Sequence, residues 1–83
     1  MAMHGANLEL QMEELELSAQ SSLPGKNLIE SELRPKFNLI IIAIKKQNGD
    51  MVYNPTADVI LEAGDTLIVV GQKTDLEKVK IML

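Results

Sequence analysis

Apolar side chains along this chain fall into runs of two kinds. Leu39-Ile40-Ile41-Ile42-Ala43-Ile44 and Leu67-Ile68-Val69-Val70 are apolar at every position, whereas Leu8-Glu9-Leu10-Gln11-Met12 and Leu15-Glu16-Leu17 alternate apolar with polar. A run of six is far short of the roughly 20 residues a helix needs to cross a bilayer. Branching at Cβ disfavours helix in an isoleucine-rich stretch, so the first run reads as a strand. Alternation would send Leu39, Ile41 and Ala43 to one side of a sheet and Ile40, Ile42 and Ile44 to the other, which leaves neither side fit for water. Burying one isoleucine contributes about 1.5–3 kcal/mol, so this strand holds much of what a small core can own. One cover for it is the chain's own helices; the other is a second copy of the chain.

The alternating run changes phase between Met12 and Leu15, which predicts a strand carrying a β-bulge near Glu13-Glu14. Leu8, Met12 and Leu15 also fit the i, i+4, i+7 spacing of a helix, the competing reading. Residues 18–25 are loop material closed by a Pro24-Gly25 turn. Asn27 followed by Glu30 predicts a capping box. Pro35 disfavours helical geometry at Arg34, so the helix is expected over residues 28–33 with Leu28, Ile29 and Leu33 buried. Asn48-Gly49 suits a type I′ hairpin turn into Met51-Val52-Tyr53-Asn54. Pro55 ends that strand or sits at a sheet edge, Val59-Ile60-Leu61 forms a brief further strand, and Gly64-Asp65 turns the chain into residues 66–70. Gly71 closes the strand, and a Thr74/Glu77 capping box opens a helix that presents Leu76, Val79 and Leu83 on one face. The expected class is α+β: a small, mostly antiparallel sheet with two helices on one face, in the order β, α, β, β, β, β, α.

Composition narrows the function. The 83 residues hold one core; residues 1–7 are expected to be a leader or disordered tail and residues 8–83 the domain. Without cysteine there is no disulfide framework and no thiolate nucleophile or ligand, and the single histidine, His4, lies in the leader. A net charge of −4, no Lys/Arg cluster and only Phe37 and Tyr53 as aromatics argue against nucleic-acid binding. No apolar run predicts direct membrane insertion, and no charged-then-apolar opening predicts a signal peptide. Glu9, Glu13, Glu14 and Glu16 read as a solvated face or, alternatively, a cation site. Catalytic motifs are missing: no phosphate-binding glycine loop, and no Ser/His/Asp or Cys/His set. Asp58, Glu62 and Asp65 are close enough in sequence to suggest a metal-dependent hydrolase. The plainer expectation is that they are exposed turn carboxylates without buried partners.

A further signal lies in an ordered series: Leu23-Pro24-Gly25-Lys26-Asn27-Leu28, Leu33-Arg34, the central strand ending Ala43-Ile44-Lys45-Lys46, Asn54-Pro55, and Glu62-Ala63-Gly64-Asp65-Thr66-Leu67-Ile68-Val69-Val70-Gly71. As a set, it resembles the TrkA-C domain, the C-terminal lobe of the RCK (regulator of potassium conductance) module. The resemblance implies a regulatory, ligand-sensing and dimerising cytoplasmic domain of a potassium channel, potassium-uptake system or related bacterial cation transporter, with no catalysis and no required cofactor. Such lobes usually follow a nucleotide-binding lobe whose fingerprint this chain lacks. Two lobes pair as a homodimer, and effectors, where they occur, sit in the cleft between them: cyclic di-AMP in some members, metal ions such as a divalent cation in others. The acidic-aliphatic-Arg step of members that bind cyclic di-AMP corresponds to Glu32-Leu33-Arg34. By that resemblance Arg34 meets phosphate, and Leu33, Ile41 and Pro55 wall the adenines. Ile40 departs from the pattern, since members that bind the nucleotide usually carry asparagine there. The alternative for Arg34 is a surface or helix C-terminal charge. The alternative for the whole is a ligand-free dimerisation domain of a membrane transporter.

Overall fold

The computed structural model describes residues 10–83, and the two fully apolar runs become the central strands of one sheet. In chain order the elements are β1 (Leu10–Glu16), α1 (Leu28–Ser31), α2 (Leu33–Phe37), β2 (Ile40–Lys45), β3 (Met51–Tyr53), β4 (Thr66–Gln72) and α3 (Lys73–Lys80). The strands lie in the order β1-β4-β2-β3 with every pairing antiparallel. The helices cover one face. Leu15, Ile41, Ile44, Leu67 and Val69 from the sheet meet Leu28, Leu33, Phe37, Leu76 and Val79 from the helices, and Leu17, Leu23, Leu39 and Leu61 complete the core. The expected leader, His4, Leu8 and Glu9 lie outside the described residues.

The bulge falls in a different strand from the one expected. β1 runs straight along β4 from Leu10 opposite Gln72 to Glu16 opposite Thr66, with no shift of register. Its change of apolar phase has another cause: Leu10 and Met12 point to the open face, while Leu15 and, just past the strand, Leu17 enter the core. The irregularity sits in β2, where the register against β4 slips between Ile41 and Ala43. That extra residue lets Ile41 and Ile44, three positions apart, both reach the covered face, so strict alternation fails there.

The expected first helix is two short ones. Asn27 caps α1 as a capping box, accepting from the Glu30 amide at 2.8 Å while Glu30 Oε1 accepts from the Asn27 amide at 3.0 Å. Glu32 then takes a left-handed conformation (φ 58°), ending α1 and starting α2. Pro35 sits in the first turn of α2, where its missing N–H is one of the unpaired donors anyway, so Arg34 is helical after all. The break also rotates the faces: Ser31 is buried, and Ile29, expected inside, is 69% exposed.

Four smaller expectations also change. Only Gly49 in the β2–β3 turn has positive φ, and the amides of Gly49 and Lys46 bond back to Lys46 O and Asp50 O. This is a three-residue turn with a glycine bulge, in place of the two-residue type I′ form. Val59-Ile60-Leu61 contributes only an isolated bridge between Ile60 and Asn27. α3 begins at Lys73 directly from β4 without a side-chain cap, leaving Thr74 inside its first turn. Gly71 is a strand residue: a Cβ there would lie 2.7 Å from Leu39 Cδ2, so the glycine makes room for a core side chain.

Candidate functional site

The turns at one end of the sheet converge on Lys46. β2 delivers this lysine just past its last residue, and the turn before β4 delivers Glu62 and Asp65. Lys46 Nζ lies 2.7 Å from Asp65 Oδ2 and 2.7 Å from Glu62 Oε1, and Asp65 Oδ2 also accepts from the Glu62 amide at 2.9 Å. Asp65 is buried, contrary to its reading as an exposed turn carboxylate. Burial works against the ammonium charge, but the hydrogen bonds to Asp65 and Glu62 outweigh it and hold the Lys46 pKa above the ordinary lysine value. An open depression of about 400 Å³ lies alongside, lined by Lys46, Gln47, Asn48, Asp50, Glu62, Ala63 and Asp65.

The third carboxylate of the sequence trio is elsewhere in its interactions. The Thr56 hydroxyl donates to Asp58, which with a backbone hydrogen bond sets the exposed Asp58 carboxyl below its usual pKa. Among the described residues, no three histidine or acidic side chains converge on a point where a metal ion could sit. Glu62 and Asp65 are joined by an ammonium group and Asp58 stands apart, which is not the geometry of a hydrolytic metal centre.

A second region forms where α2 approaches the end of β3. Arg34 Nη2 donates to the Pro55 carbonyl at 3.2 Å, so two of the four ligand residues expected from sequence are brought together. Pro55 is buried and Arg34 half-buried, which leaves the guanidinium's remaining donors available. The other two go inward. Leu33 and Ile41 are sealed in the core of the single chain, Leu33 as its place on the buried helix edge predicts and Ile41 beside the bulge in β2. On their N-terminal sides Glu32 and Ile40 are exposed instead, Ile40 at 60%.

The third region is the uncovered sheet face. Register places Met12, Val70 and Ile40 in one rung across β1, β4 and β2, and Glu16, Thr66, Lys45 and Met51 in a rung across all four strands. Met12 and Tyr53 are largely exposed on this face, while Ile68 and Val70 are half-buried. Sequence parity called for a covering on both faces; the chain supplies one.

The TrkA-C domain family matches residues 12–82, nearly all of what the structure describes. This chain belongs to that family. Its membership identifies the fold as that of an RCK C-terminal domain, and curated relatives of the TrkA-C domain include proteins of Bacillus subtilis (strain 168) named for potassium transport. The K(+)/H(+) antiporter subunit KhtT is 39% identical over 54 residues, which cover 65% of this chain and 33% of KhtT. The Ktr system potassium uptake protein C is 34% identical over 64 residues, covering 77% of this chain and 28% of that protein. The TrkA-C chain thus spans about a third of the length of these relatives. Among solved structures, the RCK C domain of the potassium transport protein KtrA, in complex with cyclic di-AMP, superposes with a TM-score of 0.79 at 28% identity, covering 90% of this chain and 85% of that one. The RCK_C domain dimer of S. agalactiae BusR, also with cyclic di-AMP, has a TM-score of 0.79 at 24% identity over 89% of this chain and 90% of that one, a likeness of fold. None of the helices among the described residues is long and apolar enough to cross a membrane.

Proposed function

We propose that this TrkA-C domain is a cytoplasmic regulatory module of a potassium channel, uptake system or related cation transporter, acting as a homodimer whose arrangement an effector biases. The observation that carries the reading is the apolar open sheet face: the helices enclose the other side, and Met12, Ile40 and Tyr53 are left largely exposed on this one. Contiguous exposed apolar surface on a small domain marks an interaction site. A second copy supplies matching surface by symmetry, which is the contact expected of a homodimer. The attached transporter is the further partner. An acidic balance of −4 supports a module that binds no nucleic acid itself; BusR, solved with its promoter DNA, shares the fold at 23% identity over 37% of its chain.

Cyclic di-AMP is the effector the reading favours, because the KtrA domain at 28% identity was solved with it and because Arg34 keeps donors free for phosphate. Leu33 and Ile41 serve from beneath, fixing Arg34 and Ile40 in position, while Pro55 orients the guanidinium through its carbonyl. A divalent cation is the other effector class to titrate. An effector shifts the pair only by its differential affinity for two arrangements, so binding and pairing are thermodynamically linked. Sedimentation at rising protein concentration, repeated with cyclic di-AMP or Ca²⁺, tests both halves: a dimer whose affinity shifts with one effector is expected. A dimer indifferent to both, with no heat on titration, would leave the ligand-free dimerisation domain as the correct reading, and a chain monomeric throughout would overturn both.

A further inference from the structure

We infer that Asn48 is a deamidation site guarded by Asp50: the folded β2–β3 turn keeps its carboxamide from attack, and conversion to an acid proceeds when the turn opens. The inference stands apart from effector binding and pairing.

Of the five asparagines in the sequence, Asn48 alone stands before a glycine. A glycine amide nitrogen has no neighbouring side chain to crowd it, so it can reach the carboxamide carbon of the residue before it. The Gly49 nitrogen gives its proton to a solvent base and bonds to Cγ of Asn48. The bond from Cγ to the carboxamide nitrogen then breaks, and ammonia leaves with a proton from solvent. Water adds to one of the two carbonyls of the resulting ring imide and reopens it, either to an ordinary aspartyl link or to one running through the side chain. Nothing is oxidised or reduced, and water is the co-reactant. At the other four asparagines the nitrogen is crowded by Leu8, Leu28 or Leu39, or belongs to Pro55 and carries no proton to lose.

Asn48 and Gly49 are exposed, and no atom stands near Gly49 on the side a Cβ would occupy, so solvent reaches the pair. Both reacting groups are nevertheless engaged. The Gly49 amide donates to Lys46 O at 2.9 Å. The Asn48 carboxamide is clasped at both ends by Asp50: its Oδ1 accepts from the Asp50 amide at 3.0 Å, and its Nδ2 donates to Asp50 Oδ2 at 3.1 Å. Attack requires these bonds to be released together, so its rate follows opening of the turn. That opening is local, because residues 47–50 are all exposed and β3, into which they lead, is an edge strand of three residues. Conversion also prevents the clasp from closing again. An acid at position 48 sets an oxygen where Nδ2 faced Asp50, and two like charges repel on the rim of a depression already lined by Glu62 and Asp65. The side-chain link adds an atom to the main chain inside the turn, which misfits the bond from the Lys46 amide to Asp50 O that seats β3 on β2.

Incubating the full chain in mildly alkaline buffer, folded and in urea, with peptide mapping by mass spectrometry at intervals, tests the site and its guard. Folded wild type is expected to convert at position 48 several-fold more slowly than the unfolded chain, with Asn27 and Asn38 unchanged over the same period. Asp50→Ala removes the partner of Nδ2; it should convert several-fold faster than wild type when folded and at the same rate in urea. Asp50→Asn keeps an acceptor and should stay close to wild type. Asn48→Asp should lower the urea midpoint, as repulsion replaces the clasp. Asp50 is exposed, so its variants are expected to fold, and the comparison of folded with unfolded wild type needs no variant. Folded wild type converting as fast as the unfolded chain would show that the turn gives no protection. Equal folded rates for wild type and Asp50→Ala would overturn the role of Asp50, and no conversion at position 48 even in urea would overturn the site itself.

Discussion

Lys46 Nζ lies 2.7 Å from Oδ2 of Asp65, a carboxylate with 1% of its surface exposed, and the contact fastens the turn after β2 to the turn before β4. Removing the ammonium would leave the Asp65 side chain, among the described residues, with the Glu62 amide as its one partner. Lys46→Met is therefore expected to lower stability by roughly 1–3 kcal/mol, the cost of stranding a buried acceptor. Glu62→Gln, which removes the exposed partner, should cost less than about 1 kcal/mol. Urea unfolding at one fixed protein concentration measures both, since dimerisation makes stability depend on concentration.

The same lysine sets the alkaline behaviour. A folded-state pKa raised above the ordinary value near 10.5 means the contribution is fully present below 10.5 and disappears as pH climbs through the raised value. Wild type should lose stability over that interval, and Lys46→Met should lose correspondingly less. Equal slopes of unfolding free energy against pH in the two proteins would show that the pair contributes nothing to alkaline stability.

Asn27 joins two local devices, the reciprocal cap of α1 and the isolated bridge to Ile60. Asn27→Ala removes the acceptor for the Glu30 amide, and a loss of about 1 kcal/mol is expected. Asn27→Asp keeps the oxygen and should retain most of the stability, which separates loss of the cap from disturbance of the bridge backbone. Thermal unfolding of the two variants beside wild type makes that comparison.

Gly71 faces the core beneath Leu39, with no space for a side chain. Gly71→Val adds β-propensity but drives branched carbons into a Leu39 methyl that is itself enclosed, so overpacking of about 1–3 kcal/mol should dominate. Trimming the neighbour tests the cause. Leu39→Ala in the Gly71→Val background should destabilise less than Leu39→Ala alone, since the valine fills part of the space that the leucine vacates.

How far these features could be read beforehand depended on how local their causes were. The Asn27/Glu30 box and the two apolar strands follow from spacing within a few residues, and the structure has them where spacing put them. Side-chain facing failed wherever one residue changed the phase. The bulge in β2 and the left-handed Glu32 lie beyond the reach of local spacing: the bulge brings Ile41 and Ile44 to one face, and the break at Glu32 turns Ile29, expected inside, outward. Asp65 was misjudged for a related reason: its partner Lys46 is 19 positions away, and only pairing of β2 with β4 brings the two turns together. One signal was available. A lysine at the end of a fully apolar strand and an aspartate at the start of the next are natural neighbours once those strands pair antiparallel.

Arg34 provides the sharpest check on the effector. Among the described residues its one hydrogen bond is to the Pro55 carbonyl, which orients the side chain and engages one of its five N–H groups. If the guanidinium receives a phosphate as a planar fork, Arg34→Lys should fail almost as badly as Arg34→Ala, because a lysine keeps the charge and loses the paired geometry. Each is expected to weaken cyclic di-AMP binding at least tenfold, or about 1.4 kcal/mol. Stability in the absence of nucleotide should fall by only about 0.5–1.5 kcal/mol, the worth of one hydrogen bond. Calorimetric titration with parallel unfolding curves distinguishes the outcomes. If Arg34→Lys binds like wild type, the residue acts as a point charge and not as a fork; if Arg34→Ala binds like wild type, the nucleotide lies elsewhere on the dimer. If affinity and stability fall together by the same free energy, Arg34 is a structural strut between α2 and Pro55 and the ligand contact belongs to its neighbours.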